Sequence, residues 1–281
     1  MHDRELMVED PDGLSSVVYG WRSPQEPPRA VVHILHGWAE HALRYDRLAQ
    51  RLVAAGFAVF ADDHRGHGQT GKRSGTLGDL GPRGMDGVLD AVRSVIERVR
   101  TEHPDVPLFV LGHSWGSFIL QRYLRRWAAA DGLAGAVLTG TTYRDPSAPP
   151  AERRPPNEAF EPARTAYDWL SRDEAEVDAY IADELCGFEM MRSRPGGGGA
   201  ASTIDDERPI PPELPILVLN GAADPIGGAA GGEALFEHYR SQGLSDVTLR
   251  AYDGARHELF NEINRDEVTG DLLGWLVART P

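Results

Sequence analysis

The chain has 281 residues, 41% of them hydrophobic and 26% charged, and carries a net charge of −14. A chain this long can bury a full core. Its acidic balance speaks against nucleic acid and anionic membrane surfaces, which both attract clustered Lys and Arg, so no nucleic-acid partner is expected. The only cysteine, Cys186, has no histidine beside it in "DELCGFEM" and is expected to be packing. The start "MHDRELMVED" lacks an apolar h-region, and no run approaches the roughly 18 apolar residues of a membrane helix. A cytoplasmic protein without stable membrane insertion is expected.

"ELMVE" and "SSVVYGW", separated by the turn signal "DPDG", predict an N-terminal hairpin. "AVVHILHG" reads as a buried strand, and "YDRLAQRLVAAG" as a helix with Leu48, Leu52 and Val53 on one face and Gly56 as its stop. "FAVFADD" is the next strand. "GVLDAVRSVIERVRTEH" repeats apolar residues at three and four and is a helix. The strand "VPLFVLG", the helix "SFILQRYLRRWAAA" and the strand "LAGAVLTG" follow. Parallel strands need helical crossovers and are covered on both faces, so this alternation of apolar runs with helices predicts an α/β fold with a mostly parallel sheet.

The alternation stops at Gly140. Residues 143–208 hold proline clusters, the run "RPGGGGAAST" and a helix with a capping box, Ser171 with Glu174, and Val177, Ile181 and Leu185 on one face. The strand "LPILVLN", a helix at "GGEALFEHYRSQG", the strand "VTLRAY" and the helix "RDEVTGDLLGWLVA" complete the chain. A core of residues 1–142 and 209–281 interrupted by a cap at 143–208 is therefore expected, since long insertions between sheet elements are usually lids or binding loops.

Ser114 stands in "GHSWG", between a buried strand and a helix. That context makes G-x-S-x-G a nucleophile elbow, whose glycines allow a tight bend that exposes the serine oxygen. Serine needs a base oriented by an acid, in chain order Ser, acid, His. His257, in the loop "GARHELF" after the last strand, is the expected base. His238 lies within a helix and is read as a surface or packing residue. Asp224, in the loop after "LPILVLN", is the expected acid. Asp145 is the alternative, and Asp253 is too local to His257. The oxyanion needs two N–H donors. Trp115, next to the nucleophile, and Trp38, in the loop after the first buried strand, are the expected pair.

The stretches "HGWAEHALRY", "DHRGHGQT", "GHSWGS", "AADPIG" and "GARHELFNE", in this order, resemble the monoacylglycerol lipase and lysophospholipase group of α/β-hydrolases. The resemblance spans nearly the whole chain. It implies an α/β-hydrolase with a cap after the sixth strand and supports the triad Ser114, Asp224 and His257 and the donors Trp38 and Trp115. It also implies that Glu40, Arg44 and His113 help hold a glycerol end. The group commonly has Met where Trp115 stands, and the cap is acidic, with eight Arg against fifteen Asp plus Glu between Tyr143 and Arg208.

His36, His41, His64 and His67 have no companion carboxylate placed as in a zinc helix, so neither metal nor cofactor is expected. The expected function is hydrolysis of small to medium acyl esters, monoacylglycerol-like compounds included, through an acyl-enzyme. A lysophospholipase, an amidase or aminopeptidase of the same fold, and a non-catalytic binding homologue are the alternatives. With indoles beside both oxyanion donors, Trp38 and Trp115 are expected to narrow the acyl entrance.

Overall fold

Five- and six-residue apolar runs build the centre of this protein, because a strand covered on both faces has no position that prefers water. The computed structural model describes residues 2–22, 26–143, 155–189 and 208–280. Among these, eight strands form one sheet: β1 (Arg4–Glu9), β2 (Ser15–Trp21), β3 (Val31–Leu35), β4 (Ala58–Asp62), β5 (Leu108–His113), β6 (Gly135–Thr139), β7 (Ile216–Gly221) and β8 (Val247–Tyr252). Their order is β1-β2-β4-β3-β5-β6-β7-β8. β1 and β2 form the N-terminal hairpin, and β2 runs antiparallel to β4. Every later pairing is parallel.

The crossovers are the expected helices α1 (Asp46–Ala54), α3 (Gly84–Glu102), α4 (Trp115–Asp131) and α6 (Gly228–Ser241), and the expected helix α7 (Arg265–Val277) follows the last strand. A short helix that the sequence pattern does not predict, α2 (Gly68–Ser74), follows β4. Two large apolar clusters lie on opposite faces of the sheet. One packs α3 and α4 through residues such as Val92, Ile96 and Tyr123, and the other packs α1 and α7 through Leu52, Leu272 and Trp275.

Between β6 and β7, the described part of the insertion holds two 3-10 turns, Pro156–Phe160 and Asp168–Leu170, and the helix α5 (Glu174–Ala182). The capping box expected at Ser171 is corrected here. Asp173 is the N-cap, its carboxylate accepting the Ala175 N–H at 3.1 Å. Ser171 instead donates its hydroxyl to the Asn261 carbonyl, which ties the insertion to the loop after β8. The buried residues of α5 are Val177 and Tyr180, whereas Ile181 is 48% exposed, so the expected stripe is rotated by one residue. Leu185 is buried beyond the helix end. No helix among the described residues is long and apolar enough to cross a membrane.

Candidate active site

Parallel strands point their C-terminal ends to one edge, and the loops leaving those ends carry the chemistry. Ser114 sits between β5 and α4 with φ 51° and ψ −117°, a backbone region that non-glycine residues rarely occupy. The sheet holds it there: the Ser114 N–H donates to the Thr139 carbonyl at 2.9 Å, and the Ser117 hydroxyl donates to the Ser114 carbonyl at 2.6 Å. The steric demand on the flanking glycines is direct. A Cβ on Gly116 would lie 2.2 Å from the Leu35 carbonyl oxygen, and one on Gly112 would lie 2.5 Å from the Gly116 carbonyl oxygen.

His257 and Asp224 come from the loops after β8 and β7. The His257 Nδ1–H donates to Asp224 Oδ2 at 2.9 Å, and both residues are buried. The other Asp224 oxygen accepts the Ile226 N–H at 2.8 Å, which fixes the carboxylate. Burial disfavours charge on His257, but the Asp224 charge and hydrogen bond outweigh it, and the pKa is raised from the usual histidine value. His113 packs against His257, ring centroids 4.8 Å apart. Burial first, and then the facing His257, bring the His113 pKa down to about 3, so this ring is neutral.

Ser114, His257, His113, Gly37, Trp38 and Glu40 line one side of a cavity of about 250 Å³. The insertion between β6 and β7 closes the other side with Tyr167, Trp169, Leu170, Tyr180, Gly187 and Phe188. The Trp115 N–H belongs to the first turn of α4, where backbone donors have no partner within the helix. Trp38 lies in the opposite loop, before Ala39, which holds φ 53°.

The two indoles part company. Trp38 lines the cavity and is 45% exposed. Trp115 stacks on His67 at 4.9 Å, meets Trp38 edge-on at 5.0 Å and packs against the α3–α4 core. Of the pair expected to narrow the entrance, only Trp38 lines the cavity.

Glu40, Arg44 and His113 do come together. Arg44 donates to both Glu258 oxygens at 2.6 Å and to Glu40 Oε2 at 2.6 Å, and its guanidinium lies over the Tyr180 ring. The other Glu40 oxygen takes the Gly37 N–H and the Tyr45 hydroxyl. Arg44 therefore stands behind the cavity wall, its charge divided between two carboxylates. Burial pushes the Glu258 carboxyl up, but the Arg44 charge pulls it to about 2. Glu258, adjacent to His257 in "GARHELF", and Trp169 and Tyr180 of the insertion were not singled out by sequence reasoning. Trp169 lies 4.9 Å from the His257 ring.

The alternative acid Asp145 and the run "RPGGGGAAST" lie outside the described residues. Asp253 is exposed on the turn after β8. His238 stacks on Tyr143 at 3.8 Å, the packing role expected of it.

Residues 26–264 match the hydrolase family described as Serine aminopeptidase, S33. A monoacylglycerol lipase of Mycolicibacterium smegmatis is 32% identical, over 93% of each chain. A monoglyceride lipase of Homo sapiens is 30% identical over 92% of this chain and 86% of its own. Among solved structures, a thermostable carboxyl esterase from Bacillus coagulans, in complex with glycerol, superposes with a TM-score of 0.82 at 27% identity, over 99% of each chain. The chain thus belongs to this serine hydrolase family, with the α/β-hydrolase fold that its sheet and crossovers display.

Proposed function

We propose that the protein hydrolyses small to medium acyl esters of neutral alcohols, monoacylglycerols included, through an acyl-enzyme on Ser114. Neutral His257 takes the Ser114 proton as the oxygen attacks the ester carbonyl, and Asp224 orients the imidazole and stabilises its charged form. The Trp115 and Trp38 N–H groups hold the developing oxyanion. The protonated His257 then gives its proton to the departing alkoxide, and water repeats the sequence on the acyl-enzyme to release the acid. The observation that carries this reading is the 2.9 Å bond from His257 to Asp224 on a cavity wall shared with Ser114.

In the same reading residues 143–208 are the cap, and Glu40 and His113, backed by Arg44, hold the alcohol end. The cavity, about 250 Å³, lies just below the roughly 300–1,000 Å³ of drug-sized ligand pockets, which favours short acyl groups. The aminopeptidase wording of the family is not favoured by this geometry. A substrate ammonium needs a carboxylate, and Glu40 and Glu258, which line the cavity, are both paired with Arg44.

The test is catalytic efficiency across an acyl-chain series of glycerol and simple esters, beside aminoacyl amides. Short and medium esters should be cleaved fastest and the amides negligibly. An optimum at long chains would contradict the size argument, and preference for the amides would contradict ester hydrolysis.

A further inference from the structure

His41, Asp183 and Cys186 meet where the cap docks on the core. Among the described residues this is the group of three or more His, Cys, Asp or Glu side chains whose ligand atoms converge, all within 4.8 Å of one another. His41 Nε2 stands 2.9 Å from Asp183 Oδ2. Asp183 and Cys186 share one turn, closed by the Cys186 N–H donating to the Asp183 carbonyl at 3.0 Å, so both side chains face the same way. The intervening Glu184 pairs with Lys72 instead and is not part of the group. We propose that His41, Asp183 and Cys186 form a binding site for a thiophilic divalent cation of the zinc class, which joins the cap to the loop that carries Trp38.

The donor set fits such an ion. Imidazole nitrogen, carboxylate oxygen and thiolate sulfur are the ligands of zinc, with water in the fourth position. Tetrahedral ligands about 2.0–2.3 Å from zinc stand roughly 3.5 Å from one another, so the longest separation must close by about 1 Å on binding. The charges also balance. On binding, the ion replaces the proton between His41 and Asp183 and the proton of the Cys186 thiol, so a carboxylate, a thiolate and a neutral imidazole face a charge of two. Arg44, the cation facing Cys186, is held between Glu40 and Glu258, and those two carboxylates and Asp183 are the other charged groups that act on the thiol. An entry path exists: the Asp183 side chain is 34% exposed, whereas that of His41 is 9% exposed.

The site would reinforce a contact already present. The Ala39 carbonyl, two residues before His41, accepts the Tyr180 hydroxyl at 3.0 Å and the Gly187 N–H at 2.9 Å. A bound ion adds a third tie from the same cap segment to the same loop.

The experiment is titration of the chelator-treated full chain with Zn²⁺ and, for its visible spectrum, Co²⁺. One equivalent should bind, Co²⁺ should show a thiolate charge-transfer band, and Tm should rise with Zn²⁺ concentration. Affinity should strengthen as pH rises, since burial raises the Cys186 thiol pKa and the metal must displace that proton. Cys186→Ser and Asp183→Asn should each weaken binding by about tenfold or more, and Cys186→Ser should lose the band. Excess Mg²⁺ should not compete. Stoichiometric binding that survives Cys186→Ser, a spectrum without the thiolate band, or no binding at all would each overturn the site, and none of these outcomes bears on ester hydrolysis.

Discussion

Ser114, Asp224 and His257 span 143 positions of the chain and converge only because β5, β7 and β8 end at one edge of the sheet. Asp224 is the residue whose contribution separates geometry from charge. Asp224→Asn keeps the size of the side chain but removes the acceptor that fixes the His257 tautomer, and turnover should fall by about 10⁴. The residual activity carries a second signature. In the proposed mechanism His257 acts as the neutral base, so activity should be lost as pH falls through its pKa, which Asp224 raises against the opposing effect of burial. With Asn in place, the acid limb of the pH–rate profile should move to lower pH. A limb that stays in place while turnover drops would show that Asp224 is not what sets the His257 pKa. The G-x-S-x-G motif and the Asp224 loop were legible in the sequence because each follows a continuous apolar strand, and the His257 loop because it follows the last strand, β8, whose apolar and polar residues alternate. The orientation of the Trp115 ring was not, because it depends on His67, which stacks against it from the loop after β4.

At the scale of elements, the insertion between β6 and β7 meets the rest of the fold through polar pairs that no local pattern reveals. His257 and Glu258 accept this role in their backbone: their N–H groups donate to the Trp169 and Leu170 carbonyls at 3.4 and 2.8 Å. Arg265 and Asp173 are 92 positions apart, and His41 and Asp183 are 142 apart. Periodicity reads the strands and helices, whose buried faces are set by neighbours at two or at three and four residues. It cannot read a contact between a loop and an insertion. The Ser171 capping box failed for the same reason: its hydroxyl was drawn to the Asn261 carbonyl, and the neighbouring Asp173 took the cap. The Arg44 group offers a stability test. Arg44→Met leaves the Glu40 and Glu258 carboxylates buried without their cation and should cost about 3–5 kcal/mol, read from chemical denaturation. Adding Glu258→Gln should return part of that loss. If Arg44→Met is neutral, the buried pairing does not hold this wall together.

At the scale of the whole molecule, the acid response follows from buried histidines. Burial is the largest cause that lowers the pKa of His36, His67 and His113, the last two to about 3. The unfolded chain therefore takes up protons first. Their contribution to stability is full above pH 6.5, the ordinary histidine value, and is lost as pH falls below it, by up to about 1.4 kcal/mol per pH unit for each group. His257, with its raised pKa, works in the opposite sense, as one group against three. Tm should fall steadily from pH 6.5 to 5, before carboxylate protonation begins to contribute. A Tm that is flat or rising across that interval would contradict the burial of neutral imidazoles. The fold itself was legible at this scale, since an apolar, parallel sheet with helical crossovers leaves little choice of architecture, while the short helix α2, polar in sequence, gave no periodic signal.

The central claim, covalent catalysis at Ser114, is tested most directly by reaction with a fluorophosphonate followed by peptide mapping. One adduct should form, on Ser114, and Ser114→Ala should abolish both the labelling and the ester turnover, leaving only the small residual rate that an oxyanion hole provides. Labelling at another residue, or full turnover in Ser114→Ala, would contradict it.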